Sequence, residues 1–578
     1  MINSNSDRQT WLLTLLCILS LLLFLGETFF NTRGEPREAI VAVSMLEHGN
    51  WILPVNNGDE IAFKPPLLHW CIAAISWITG GVTEFTSRMP SAVALALMTL
   101  VGFRFFARRT HAETAFVAAL VTLTNFEVHR AGYACRVDML LAALMVGALY
   151  DLFRWQEKGL RGLPFVAWLC LAGAALTKGP VGVLLPCAVA GAYLLLRGKN
   201  FWMLLWKLGL LAILAMIPLF VWYWAAYNEP HGGDRFLQLI YEENILRLTG
   251  GMTYASHENP WPYNVKMLLA GMLPYTLLPV LALPLLYHWL KRKGWQGWGF
   301  KKAWQGLLNM SDARLYSLVS IAVIFVFYCI PKSKRGVYLL PLYPFVAYFT
   351  AEFILWLRGK HPGILRVFGW TFCALAVVLT LTFAAVRFGL VPETLFEGGR
   401  HAGENISYLQ ALENLPLGGM AIGCILLPLA AAIGWGMLQR RENHRHLSWS
   451  PIGIIFCVFM ALDGFYYPTV LNVKSDRSVA QRIAEIQPAG TVYSYRTDVL
   501  EANRLHPFTI NFYLGDRVIP IDKAPELPQT GYVIAGDNDI DTFKEVYPQY
   551  EVEQIFDTGR RSCDDRKILK FYWFGMRQ

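Results

Sequence analysis

Apolar runs of roughly helical length, separated by short polar segments, recur along most of this chain. The first covers 11–30. Others follow near 88–107, 113–127, 138–154, 163–177, 180–196, 205–226, 264–290, 314–330, 336–357, 366–387, 417–438 and 450–468. A helix needs about 20 apolar residues to cross a bilayer, so the pattern predicts a polytopic α-helical membrane protein with about thirteen transmembrane helices. No small-residue cleavage site follows the first run, which is therefore expected to be an uncleaved helix rather than a signal peptide.

The pattern changes near residue 476. "SVAQRIAEI" has helical periodicity, whereas "TVYSY", "FTINFYL", "RVIPID", "GYVIAG", "YEVEQIF" and "KILKFYWF" read as strands. The chain thus divides into a membrane part, 1–475, and a C-terminal α/β soluble domain, 476–578. Within the membrane part, the loop 31–86 is too long for a simple connector. Its segments "EAIVAVSML" and "PPLLHWCIAAISWITGG" read as helices lying in the interface plane. Between them, Asn-Asn-Gly is expected to reverse the chain and deliver Lys64 back toward the membrane, just before a rigid Pro-Pro.

Composition agrees with a membrane class: 55% of the 578 residues are hydrophobic and only 16% charged. Most of the ten cysteines lie inside apolar runs, so no disulfide framework is indicated. The net charge of +9 is explained by topology before any nucleic acid is invoked. With the N-terminus in the cytoplasm, every inner loop is basic, as the positive-inside rule requires. The C-terminal domain then falls on the outer face. Counting 65–81 as a span would reverse every later loop.

The exceptions carry the functional signal. Arg33, Arg37, Lys64, Arg88, Arg130, Arg136, Lys178, Arg235, Arg247, Lys332, Lys334 and Arg335 all fall on the outer side. A shared anionic partner at that interface accounts for them better than scattered solvation does. Lys332, Lys334 and Arg335 crowd one short turn, with Tyr338 a turn into the next helix, and suit a phosphate or anionic headgroup. Asp138 opens a span at a depth where a carboxylate is costly, which makes it a functional candidate beside its plainer role as a helix N-terminal acid. Lys178 reads as a side chain that snorkels to the surface. His257 and Glu258, with Glu242 and Glu243, are weak candidates for a metal site, because no ligand spacing singles them out.

The segment "GEPREAIVAVSMLEHGNWILPVNNGDEIAFKPPLLHW" resembles the first outer loop of the bacterial aminoarabinose (4-amino-4-deoxy-L-arabinose) lipid A transferases. These belong with the protein O-mannosyltransferases among the C-type glycosyltransferases. "RVDM", "LTKGP", "ENILR", "HENPWPY" and "SKRGVYLLP" follow in the family's order, so the resemblance spans the membrane part. It implies a C-type glycosyltransferase fold in the bacterial inner membrane, with the active site and C-terminal domain on the periplasmic face. The implied reaction moves a sugar from undecaprenyl phosphate or another polyprenyl phosphate to lipid A or a related glycolipid. A protein or glycan acceptor of the O-mannosyltransferase kind is the alternative. By position, Arg37, Lys64, Arg247 and Tyr338 match family residues near the donor phosphate, and Asp138 matches a second active-site acid. No cofactor is required, and a divalent cation has a place only as an option.

Three departures bear on mechanism. Gly34 stands where the family has its principal aspartate, Glu38 stands for a tyrosine, and Phe63 for the glutamate before the lysine. Glu35 is then the carboxylate left to act as base, with Asp138 second. A departing phosphate needs cations more than a general acid, and an acceptor phosphate needs no base at all. A lipid flippase would also gather outer cations, but it should show inverted repeats, and none is evident in the sequence. A docking scaffold explains the C-terminal domain and not the cations.

Overall fold

The computed structural model describes residues 4–246, 249, 258–293, 299–398, 402–440, 444–496, 506–524, 526–564 and 567–577. Among them, seven helices are long and apolar enough to cross a membrane. These are Glu84–Ala107, Phe201–Tyr227, Asp312–Cys329, Gly336–Lys360, Pro362–Arg387, Gly419–Leu438 and Ser450–Lys474. An eighth is a pair, Phe126–Gly132 with Val137–Glu157, bent by 112°. Shorter apolar helices, including Ala112–Thr124, Phe165–Lys178 and Val181–Leu196, complete the bundle. Ala112–Thr124 is buried along most of its length, so neighbouring helices rather than lipid cover it.

Several boundaries differ from the sequence pattern, each for a local reason. The run 11–30 is helical only over Ser4–Leu21. Beyond it, Arg88 Nη1 donates to the carbonyls of Leu25 (3.0 Å) and Thr28 (2.6 Å), groups that a continuing helix would have used itself. The run 113–127 stops at Thr124, where the Asn125 side chain accepts from Val128 N (3.1 Å) and starts a new helix. The run 264–290 is three pieces, Pro262–Gly271, Leu277–Leu281 and Leu283–Lys293, interrupted around Pro274 and just before Pro284.

In the first outer loop, helices Pro36–His48 and Leu67–Thr79 flank a two-stranded hairpin, β1 (Val55–Asn56) and β2 (Glu60–Ile61). Its turn places Asn57 (φ 50°) and Gly58 (φ 86°) in the left-handed region that these two residue types tolerate best.

The C-terminal part forms a mixed sheet ordered β4-β3-β5-β7-β6. Its strands are β3 (Val492–Tyr495), β4 (Val518–Pro520), β5 (Thr530–Gly536), β6 (Tyr550–Arg561) and β7 (Ile568–Met576). β3 pairs parallel with β4 and β5, and β7 pairs antiparallel with β5 and β6. Helices Arg477–Ile486 and Asp537–Val546 pack on it. The expected strand "FTINFYL" is instead a helix, Phe508–Tyr513, with Phe508 through Phe512 all buried. Asp564 caps it, accepting from Thr509 N and Thr509 Oγ1 at 2.8 Å each.

This helix ties the sheet to the membrane part. Phe512 meets Phe30 edge-on at 4.9 Å, and Tyr513 OH donates to Glu84 Oε1 at 2.5 Å. Asn511 Nδ2 donates to Asn57 Oδ1 (2.6 Å) at the hairpin tip, and Asp516 Oδ1 accepts from Asn57 N (2.9 Å).

Candidate active site

One large cavity, about 1430 Å³, lies where the bent helix pair, the first outer loop and the C-terminal part converge. The bend supplies Glu127, Arg130, Arg136 and Asp138, and the loop supplies Arg33, Arg37, Glu38 and Lys64. Lys178 ends the helix Phe165–Lys178, while Arg335 and Tyr338 come from the start of Gly336–Leu342.

Two carboxylate pairs organise the wall. Glu38 is buried, with Lys64 Nζ bonded to Oε1 and His69 Nε2 at 3.0 Å from Oε2. Burial alone would raise the Glu38 carboxyl; Lys64, His69 and Arg37 outweigh it and hold the group well below the usual carboxylate range. Burial and the neighbouring Arg37 push the Lys64 ammonium below its ordinary value, although Glu38 and Glu243 pull the other way. In the second pair, Lys178 Nζ lies 2.5 Å from Asp138 Oδ1 and 4.3 Å over the Tyr338 ring. Arg136 and Arg335 stand within electrostatic reach of the same carboxylate.

Against these satisfied pairs, Arg37 and Arg136 make no side-chain hydrogen bond or ion pair among the described residues. Arg136 packs over Gly34, where an added Cβ would run into its guanidinium. The motif resemblance leads one to expect a carboxylate at position 34; here that space holds a cation. The wall can therefore grip an anion with two guanidinium groups, supported by two carboxylate-held ammonium groups.

Of the residues singled out from sequence, Arg37, Lys64, Asp138, Arg335 and Tyr338 line the cavity. Glu35 does not. Its half-buried side chain turns away from the cavity to Arg88, which donates bidentately (Nε–Oε1 2.8 Å, Nη2–Oε2 3.0 Å), and Cys135 N donates to Oε1 (3.0 Å). Burial raises the Glu35 carboxyl, yet Arg88 and the Cys135 amide overcome this and keep it below the usual range. The carboxylate expected to act as base is thus engaged by Arg88 and the Cys135 amide and is not among the residues that line the cavity. Lys332 is exposed, and Lys334 turns back to donate to Pro331 O (2.5 Å), so neither lines the cavity. Glu258 is exposed and bridges through its backbone to Ser333. Arg247 and His257 lie outside the described residues.

Sequence reasoning noted Glu38 only as a departure and missed its pairing with Lys64 and His69, as well as the absence of a side-chain partner for Arg136 among the described residues. The one available signal was phase. Glu35 precedes the first turn of Pro36–His48, whereas Glu38 lies inside it and reaches Lys64 and His69.

Residues 63–224 match the family model described as dolichyl-phosphate-mannose-protein mannosyltransferase. Two relatives are named undecaprenyl phosphate-alpha-4-amino-4-deoxy-L-arabinose arabinosyl transferase. The one from Pectobacterium carotovorum is 26% identical over 68% of this chain and 67% of its own length. The one from Edwardsiella ictaluri is 25% identical over 74% of this chain and 72% of its own. The chain is thus similar in sequence to membrane glycosyltransferases. The likeness of fold extends along nearly all of it. The crystal structure of ArnT from Cupriavidus metallidurans bound to undecaprenyl phosphate superposes with a TM-score of 0.67 at 18% identity, covering 97% of each chain. The family match includes Lys64, Arg136, Asp138 and Lys178, four of the residues that make the cationic wall.

Proposed function

We propose that this protein transfers a sugar from undecaprenyl phosphate, or a similar polyprenyl phosphate, to a lipid acceptor at the periplasmic face of the bacterial inner membrane. Aminoarabinose onto lipid A is the first pairing to test. In this reading the shorter apolar helices complete about thirteen spans, as the bilayer thickness and the basic inner loops suggest. The C-terminal sheet stands on the periplasmic side.

The observation that carries the reading is the pair of guanidinium groups, Arg37 and Arg136, that have no side-chain partner among the described residues, on a cavity wall where Lys64, Arg130 and Lys178 are held by carboxylates. In the transfer step an acceptor oxygen bonds to the anomeric carbon and the bond from that carbon to the carrier phosphate oxygen breaks. The electron pair stays on the phosphate, which gains negative charge. Arg37 and Arg136 stabilise that charge, with Lys64 and Lys178 as secondary sources. Glu38 and Asp138 fix the two lysines in place. If the acceptor is a phosphate, it arrives ionised and positioning suffices. If it is a hydroxyl, a carboxylate must take its proton, and Asp138, a base candidate from the sequence that lines the cavity, is the one to test.

The experiment is a reconstituted assay with purified polyprenyl-phosphate sugars, offered lipid A and protein acceptors and read by mass spectrometry. Sugar-modified lipid A supports the proposal. Modification of protein alone would move the acceptor to the O-mannosyltransferase kind, and transport of carrier without any transfer would overturn the reading.

A further inference from the structure

The cavity is lined by a second cationic patch, carried by the C-terminal part. Segment Gly559–Asp564, at the end of β6, reaches the cavity together with Lys474 and Tyr408. This segment is held by a cluster of hydrogen bonds. Arg560 donates to Lys474 O (2.9 Å) and Ser475 O (2.6 Å) and pairs with Asp476 Oδ1 (3.1 Å). Asp476 Oδ2 accepts from Ser562 Oγ (2.6 Å) and Cys563 N (3.0 Å). Arg560 and Asp476 are thereby used up in holding the backbone. Arg561 and Lys474, on either side of that lock, have no side-chain partner among the described residues.

Size argues in the same direction. A pocket for one small ligand measures about 300–1,000 Å³, and this one, at about 1430 Å³, has room for two polar groups. Two substrates must meet in any transfer, and the wall from the membrane helices already serves one phosphate. We propose that Arg561 and Lys474 are positioning residues that hold an anionic phosphate of a glycolipid acceptor while Arg37 and Arg136 hold the carrier phosphate. The assignment rests on the glycosyl-transfer reading above. It would give the C-terminal part a direct share in acceptor choice.

The test is equilibrium binding by native mass spectrometry, on the full chain in lipid nanodiscs. The probes are lipid A, lipid A stripped of its phosphates by phosphatase, and undecaprenyl phosphate. The double variant Arg561→Ala/Lys474→Ala is expected to bind lipid A about tenfold or more weakly, the scale of a lost charge-assisted contact. Its binding of undecaprenyl phosphate and of the stripped lipid should match the unsubstituted protein. Arg561→Lys should restore most lipid A binding. In turnover, the KM for acceptor should rise while kcat and the KM for donor hold. Unchanged lipid A affinity would overturn the proposal. So would an equal loss for stripped lipid or for undecaprenyl phosphate, which would mark a structural lesion. Protein that binds both lipids but moves no sugar would sink the transfer reading, and with it the acceptor role, while the loss of lipid A binding in the double variant would still mark Arg561 and Lys474 as its phosphate contact.

Discussion

Glu35 and Glu38 lie three residues apart, and both are carboxylates paired with cations and largely shielded from solvent, yet they belong to different environments. Glu35 faces Arg88, away from the cavity, its two oxygens taken by three donors. Glu38 faces the cavity, with Lys64 and His69 as partners and Arg37 nearby. The first pair closes the exit of the N-terminal helix, because Arg88 also satisfies the carbonyls of Leu25 and Thr28. The second presents a lysine to whatever occupies the cavity. Charge and burial alone do not separate a structural ion from a working one; the spare donor capacity around it does.

The largest effect expected from breaking this contrast is on folding. Glu35→Ala or Arg88→Ala leaves an unpaired buried charge, a loss of about 3–5 kcal/mol. Poor accumulation and a much lower Tm in detergent are the expected outcome. Normal stability with transfer abolished would return Glu35 to catalysis. Next come Arg37→Ala and Arg136→Ala, each expected to lower kcat/KM for transfer about a hundredfold with Tm nearly unchanged. Equal losses of Tm and activity would make these two residues structural as well.

Gly34→Asp sharpens the comparison further. Its side chain must displace Arg136 and then neutralise it, so carrier affinity should fall while Glu35 and Arg88 remain paired. Glu38→Gln keeps the shape of the wall but weakens its hold on Lys64. A loss of about tenfold in transfer is expected, equivalent to about 1.4 kcal/mol, and it should be visible in the same kinetic assay.

The smallest effect concerns pH. Burial pushes Asp516, at the junction with the hairpin, up to about 6. A carboxyl raised on folding binds its proton more readily in the folded state, so its contribution favours the fold at low pH. That contribution should disappear as pH rises from about 4 to about 6. Asp516→Asn should flatten this slope in a Tm-against-pH series by a few degrees, and an unchanged slope would remove Asp516 as its source.

The helical bundle was legible because its signal is long and periodic: runs such as 205–226 and 366–387 correspond to Phe201–Tyr227 and Pro362–Arg387. The hairpin was legible from Asn57 and Gly58, whose backbone needs few other residue types meet. "FTINFYL" was not, because its helix depends on Asp564, 55 residues away, and on burial of both faces, which erases the difference between the two periods. The cationic character of the site was visible in the translocated arginines and lysines. Which of them carry no partner was not visible, since Arg88 and Arg136 read alike until Glu35 is seen turned toward one and Gly34 lying beneath the other.

The most direct test of the central claim is the affinity of undecaprenyl phosphate for the unsubstituted protein and for Arg37→Ala/Arg136→Ala, measured by native mass spectrometry. If these two guanidinium groups grip the carrier phosphate, the double variant should bind it about a hundredfold more weakly at unchanged Tm, a difference of about 2.7 kcal/mol. Undiminished affinity in a folded double variant would contradict the claim and place the phosphate elsewhere.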